Sequence, residues 1–167
     1  MLYNFPYVTA GIDLDSDIAL ALSDHPNIVG IKLSCGDVGK LHRITAVKPA
    51  SEFCTFPAGS AVLLQGLLSG GAGAFTALPN LIPKLHMKMY ALYQAGKIEE
   101  AMKIQAQLGQ GNWATRNAGG IGALKALVSK HFGYGEIYVR RPLVPIAHLS
   151  GPFVDKLEEL IAIEKTL

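Results

Sequence analysis

Several common ingredients are scarce in this 167-residue sequence. Two cysteines, Cys35 and Cys54, are too few for a disulfide framework, and their neighbours offer no zinc spacing. They fit half-buried thiols in a reducing compartment. Only 17% of residues are charged while 50% are hydrophobic, which excludes a disordered chain or a coiled coil. Basic side chains number 15 against 13 acidic, with no basic block and no acidic tail, so neither nucleic acid nor a basic partner is indicated. The opening Met1-Leu2-Tyr3-Asn4-Phe5-Pro6 lacks the basic and apolar regions of a signal peptide, and a cytoplasmic setting is expected. No charge lies between Glu52 and Lys84, but prolines and glycines from Pro57 to Pro83 break the run, short of the roughly 20 apolar residues a membrane span needs. A phosphate loop, a dinucleotide fingerprint and a Gly-x-Ser-x-Gly elbow are also missing. The five histidines are scattered with no acid cluster nearby, so no metal site is expected.

What is present falls into two textures. Residues 2–5, 27–34, 53–56 and 72–77 read as short β-rich runs. Helical patterns over 16–24, 39–47, 60–68 and 80–94 alternate with them. The runs are apolar without strict alternation, as in parallel strands covered on both faces, and the alternation itself indicates βα units. Asp15 and Asp37 stand where N-caps belong, and Asn80 is placed to cap the fourth helix. Beyond residue 97 only helices follow, over 97–108, 119–132 and 151–164. Trp113 and Arg116 fall in a helical linker, and Gly133 marks a helix end. Four βα units are half of an eightfold barrel, which typically takes around 250 residues, or they make an open sheet. Periodicity alone leaves both open.

Lys32 is the most informative residue. It lies near the C-terminal end of the apolar run Asn27-Ile28-Val29-Gly30-Ile31-Lys32-Leu33. Desolvation there favours a neutral amine, which can form a Schiff base with a carbonyl compound. A lysine that snorkels to the rim fits the position too. Tyr3 ends the preceding strand, where adjacent parallel strands bring its hydroxyl toward Lys32 for proton transfer. A tyrosine serving only as packing is the more ordinary role for such a position. Gly70-Gly71-Ala72-Gly73-Ala74-Phe75-Thr76 permits close backbone approach to a neighbour or a ligand.

Taken together, these segments resemble the dihydrodipicolinate synthase / N-acetylneuraminate lyase family of class I aldolases. Tyr3-Asn4-Phe5-Pro6 is similar to the family's Tyr-Asn-x-Pro, and Gly30-Ile31-Lys32-Leu33-Ser34 to the segment that carries its Schiff-base lysine. The glycine-rich run followed by Asn80 looks like the last barrel strand and its entry. Gly119-Gly120-Ile121-Gly122-Ala123-Leu124-Lys125 and Arg141-Pro142-Leu143 resemble the C-terminal extension.

The resemblance implies an α/β fold, a partial (β/α)8 barrel of about the last four βα units over residues 1–95, then a helical extension over 96–167. It implies an aldolase or lyase acting on pyruvate or related 2-oxo acids, oligomerisation with copies of itself, and no cofactor, since the protonated imine is the electron sink. Lys32 would form the imine and Tyr3 would relay protons. Phe75 would present its backbone carbonyl to the substrate, with Gly73 and Thr76 beside it. The expected form is truncated, because Met1 falls inside a strand and the carboxylate-binding loop belongs to the other half of the barrel. The family's dihydrodipicolinate synthases tend to carry an arginine shortly after Tyr-Asn-x-Pro, where this chain has Tyr7, Val8 and Thr9. That departure, with the texture around Gly11 and Gly36, favours relatives that cleave 4-hydroxy-2-oxoglutarate or 2-keto-3-deoxy sugar acids. The opposing expectation is a non-catalytic half-barrel that self-associates or binds a partner through its strand edges.

Overall fold

The computed structural model describes residues 1–146 and 148–167. The chain packs as two compact units, Met1–Thr76 and Ala77–Leu167. In the first, β1 (Leu2–Asn4), α1 (Ser16–Ser23), β2 (Gly30–Leu33), α2 (Val38–Val47), β3 (Cys54–Pro57) and α3 (Leu63–Leu68) follow in order. The strands form a parallel sheet in the order β1-β2-β3. Its register sets Tyr3 beside Lys32, and Lys32 beside Phe56. Two helix starts are determined locally. Asp15 accepts the Ile18 N–H at 2.9 Å, and Asp37 accepts the Lys40 N–H at 2.8 Å. Each places a carboxylate at the positive end of its helix. Ile31 and Leu33 bury against Ala19, Leu41, Ile44 and Phe53 to make the core.

The strand expected over 72–77 does not form as a strand. Among the described residues the sheet has three strands, and Phe75 adds only a single parallel bridge to Ala58. Gly70 and Gly73 take φ of +85° and +154°, which carries the backbone out of the extended region. Three hydrogen bonds still hold the segment alongside β3. Ala72 N–H donates to the Thr55 carbonyl at 3.0 Å, Phe75 N–H to Pro57 at 3.0 Å, and Gly59 N–H to Phe75 at 3.2 Å.

The second unit is helical: α4 (Pro83–Gln94), α5 (Ile98–Asn117), α6 (Ile121–Phe132) and α7 (Pro152–Thr166). Its α4 packs on α5 and α7. Asn80 does not cap α4. It sits in the turn Leu78–Asn80, and its side-chain amide donates to the Ala77 carbonyl at 2.8 Å. The cap comes from α7, where Glu164 accepts the Lys84 and Leu85 N–H groups at 2.8 and 2.9 Å. Helix α5 also runs past the expected end at 108 and takes in Trp113 and Arg116. A glycine costs helix stability locally, and Gly111 stands where two leucine side chains come close. A Cβ at that position would come within 2.7 Å of Leu160 and 2.9 Å of Leu78. Among the described residues no helix is long and apolar enough to cross a membrane.

Candidate active site

Parallel pairing puts side chains of matched residues on one face of the sheet, which is how Tyr3 and Lys32 meet. The Lys32 Nζ lies 4.2 Å from the centroid of the Tyr3 ring and 5.8 Å from that of Phe75. Phe75 packs edge-on to Phe56, with centroids 5.0 Å apart and planes at 74°. The amine therefore sits near two aromatic rings, one of them backed by Phe56, and ring faces attract a cationic nitrogen. Desolvation is weaker than the sequence suggests. Lys32 is half-buried, while Tyr3 and Phe75 are 50% and 43% exposed. The Tyr3 hydroxyl accepts a long hydrogen bond from Ser34 Oγ at 3.4 Å.

The other expected site residues lie on the segment held alongside β3. Gly73 stands next to the Phe56 ring, where a Cβ would make ordinary contact at 3.4 Å, and it is the φ of +154° that favours glycine there. The Phe75 carbonyl already accepts the Gly59 N–H, and a carbonyl oxygen has a second lone pair to offer. Thr76 Oγ1 shares a 2.6 Å hydrogen bond with Ser60 Oγ, and Ser60 is fully buried. Thr76 thus ties its segment to the turn after β3. Among the described residues no group of three or more His, Cys, Asp or Glu side chains is placed to hold a metal ion.

A second cluster escaped the sequence reading. Asn4, only 1% exposed, donates from Nδ2 to Asp13 Oδ1 at 2.7 Å and accepts the Leu14 N–H at 3.0 Å. Lys40, 3% exposed, donates to both oxygens of Asp13 at 2.6 and 2.7 Å. The hydrogen bond from Lys40 holds the Asp13 carboxyl below its usual range, helped by the one from Asn4 and opposed by burial. A signal was available. Lys40 stands four residues before Ile44 and beside Leu41 on the buried stripe of α2, and a lysine on an apolar stripe needs a partner.

A primary amine beside a phenol, near a backbone carbonyl, is suited to capturing a carbonyl carbon and moving a proton next to it. Comparisons with known proteins agree in kind. The model of the dihydrodipicolinate synthetase family matches residues 1–159. A protein of Emericella nidulans named "Probable 4-hydroxy-2-oxoglutarate aldolase, mitochondrial" is 41% identical over 168 residues, covering 100% of this chain and 53% of its own. An L-threo-3-deoxy-hexylosonate aldolase of Hypocrea jecorina is 37% identical, over 100% of this chain and 55% of its own. The crystal structure of a dihydrodipicolinate synthase from Bacillus anthracis superposes with a TM-score of 0.81 at 27% identity, over 97% of this chain and 53% of that one. The chain spans about half the length of the curated relatives it matches.

Proposed function

This chain belongs to the dihydrodipicolinate synthetase family, and from that premise we propose that it carries the imine-forming half of a class I aldolase acting on 2-oxo acids. The observation that carries the reading is the Tyr3–Lys32 pair, matched in register with Nζ 4.2 Å from the ring centroid. In this reading the Lys32 amine adds to the C2 carbonyl of pyruvate or a pyruvate-yielding acid, and loss of water leaves the imine. The protonated imine draws in the electron pair of the breaking carbon–carbon bond, and Tyr3 carries the proton to or from the substrate oxygen. The free lone pair of the Phe75 carbonyl, with Gly73 and Thr76 on the same segment, lines the substrate.

The finer assignments belong to the same proposal. Residues 1–95 correspond to the last four βα units of a barrel and 96–167 to the extension after it. The substrate is 4-hydroxy-2-oxoglutarate or a 3-deoxy sugar acid, in keeping with the names of the relatives above. The active form is a homo-oligomer in the cytoplasm; a relative carries "mitochondrial" in its name, so cell fractionation decides the compartment.

Incubation with pyruvate and borohydride, followed by intact mass and peptide mapping, tests the chemistry. A reduced pyruvyl adduct on Lys32 is expected. No adduct, under conditions that label a full-length relative, defeats the proposal for this chain alone. Self-association without an adduct, seen by light scattering, is the outcome a non-catalytic half-barrel gives.

A further inference from the structure

Tyr3 stands on a strand of only three residues, at the short end of the usual range. The end of that strand is also held by the side chain of its last residue, Asn4. Backbone pairing continues once, where Ser34 N–H donates to the Asn4 carbonyl at 2.8 Å. The Asn4 side chain then holds Asp13 and Leu14 on the segment leading into α1. Asp13 in turn holds Lys40 in the first turn of α2, and only four residues lie between the end of β2 and the start of α2. The connections close a circuit: Tyr3 to Asn4, to Asp13, to Lys40, and through α2 and β2 to Lys32.

We propose that Asn4, Asp13 and Lys40 are positioning residues that hold the Tyr3 ring over the Lys32 amine. The circuit ties together the segments that follow β1 and β2, the two strands whose ends present the reactive pair. Its charged link is nearly dry at one end and wet at the other. The Lys40 side chain is 4% exposed and that of Asp13 is 44% exposed. Loss of the Lys40 charge therefore leaves a carboxylate that water can solvate, and a methionine can refill the lysine stem. The expected effect is loss of alignment rather than collapse.

The consequence for catalysis rests on the imine reading above, but the positioning itself does not. Two readouts in the full chain separate them. One is the second-order rate of borohydride-trapped pyruvate on Lys32. The other is the NMR shift of the Lys32 ε-methylene protons, which the Tyr3 ring moves upfield. In Lys40→Met, at a temperature where circular dichroism shows a folded chain, the trapping rate drops about tenfold, a loss expected from misaligned reacting groups. The ε-methylene shift moves to the value of an exposed lysine. A folded Lys40→Met chain with the parent shift overturns the proposal, whatever its trapping rate. If the parent chain traps no pyruvate, the imine reading falls and the shift alone decides the positioning role. If Lys40→Met does not fold, Asn4→Ser takes its place: it breaks only the neutral link, and the same shift supports or overturns the proposal.

Discussion

Both units must start helices, and they do so by different means. In Met1–Thr76, α1 and α2 are capped by the residue that precedes each of them, Asp15 and Asp37. In Ala77–Leu167, α4, α5, α6 and α7 have no capping side chain of their own. There α4 receives Glu164 from α7 across about eighty residues of sequence. The first unit thus writes the starts of α1 and α2 locally, although α3 has no capping side chain, and pairs the buried Lys40 with the half-exposed Asp13 behind the strand that carries Tyr3. The second relies on tertiary contacts and places a buried carboxylate on the backbone N–H groups of α4. Local capping leaves a short-stranded unit able to fix its strand ends, where chemistry belongs. A remote cap makes the helical unit depend on the arrival of its last helix.

The largest effect expected is on chemistry and falls in the first unit. Lys32→Ala abolishes the pyruvate adduct in the mass spectrum with little change in melting temperature. The division of labour would break if Glu164→Ala, assayed while folded, lost the adduct equally. Next comes stability in the second unit. Glu164→Ala uncovers one buried and one part-buried N–H group and costs about 2 kcal/mol in urea unfolding. A cost under that of a local cap would show that the remote contact is redundant. Asp15→Ala and Asp37→Ala each cost about 1 kcal/mol in the same titration. If either matches Glu164→Ala, local and remote capping are energetically alike.

Tyr3→Phe sharpens the contrast within the site itself. It slows carbon–carbon bond cleavage in a pyruvate-release assay while imine trapping persists in part, since the ring stays over the amine and only the proton carrier is gone.

The smallest effect is the pH dependence of the first unit. Asp13 has its folded pKa lowered by Lys40 and Asn4, so in the window between the folded and unfolded values the unfolded chain binds more protons. Its contribution to stability is present above the unfolded value of about 3.9 and is lost as pH falls through the folded one. Melting curves recorded downward from pH about 6 show the decline, and Asp13→Asn flattens it.

Particular residues show where sequence reasoning reached and where it stopped. The alternation of apolar runs with helical patterns was readable because each βα unit buries its own strand. Asp15 and Asp37 were readable because an N-cap acts on an N–H only three residues away. Tyr3 and Lys32 were readable as neighbours because consecutive parallel strands usually lie side by side. Residues 72–77 carry strand-like composition, yet positive φ at Gly70 and Gly73 reduces them to one bridge. At Gly109 and Gly111 the helix pattern fades, while α5 continues because Gly111 admits Leu78 and Leu160. Asn80 has the chemistry of a cap but lies in a turn ahead of the helix.

By itself the sequence determined the order of βα units in the first half, the helical texture of the second, the local caps and the adjacency of Tyr3 and Lys32. All of these rest on interactions between near neighbours or between consecutive strands. Only the tertiary structure decided that Glu164 caps α4, that Lys40 is buried on Asp13, and that Phe75, packed on Phe56, joins Tyr3 near the amine. Each depends on which distant segments pack together. A pattern of residue types shows that a buried charge or an open helix end needs a partner, and the packed chain alone selects which partner arrives.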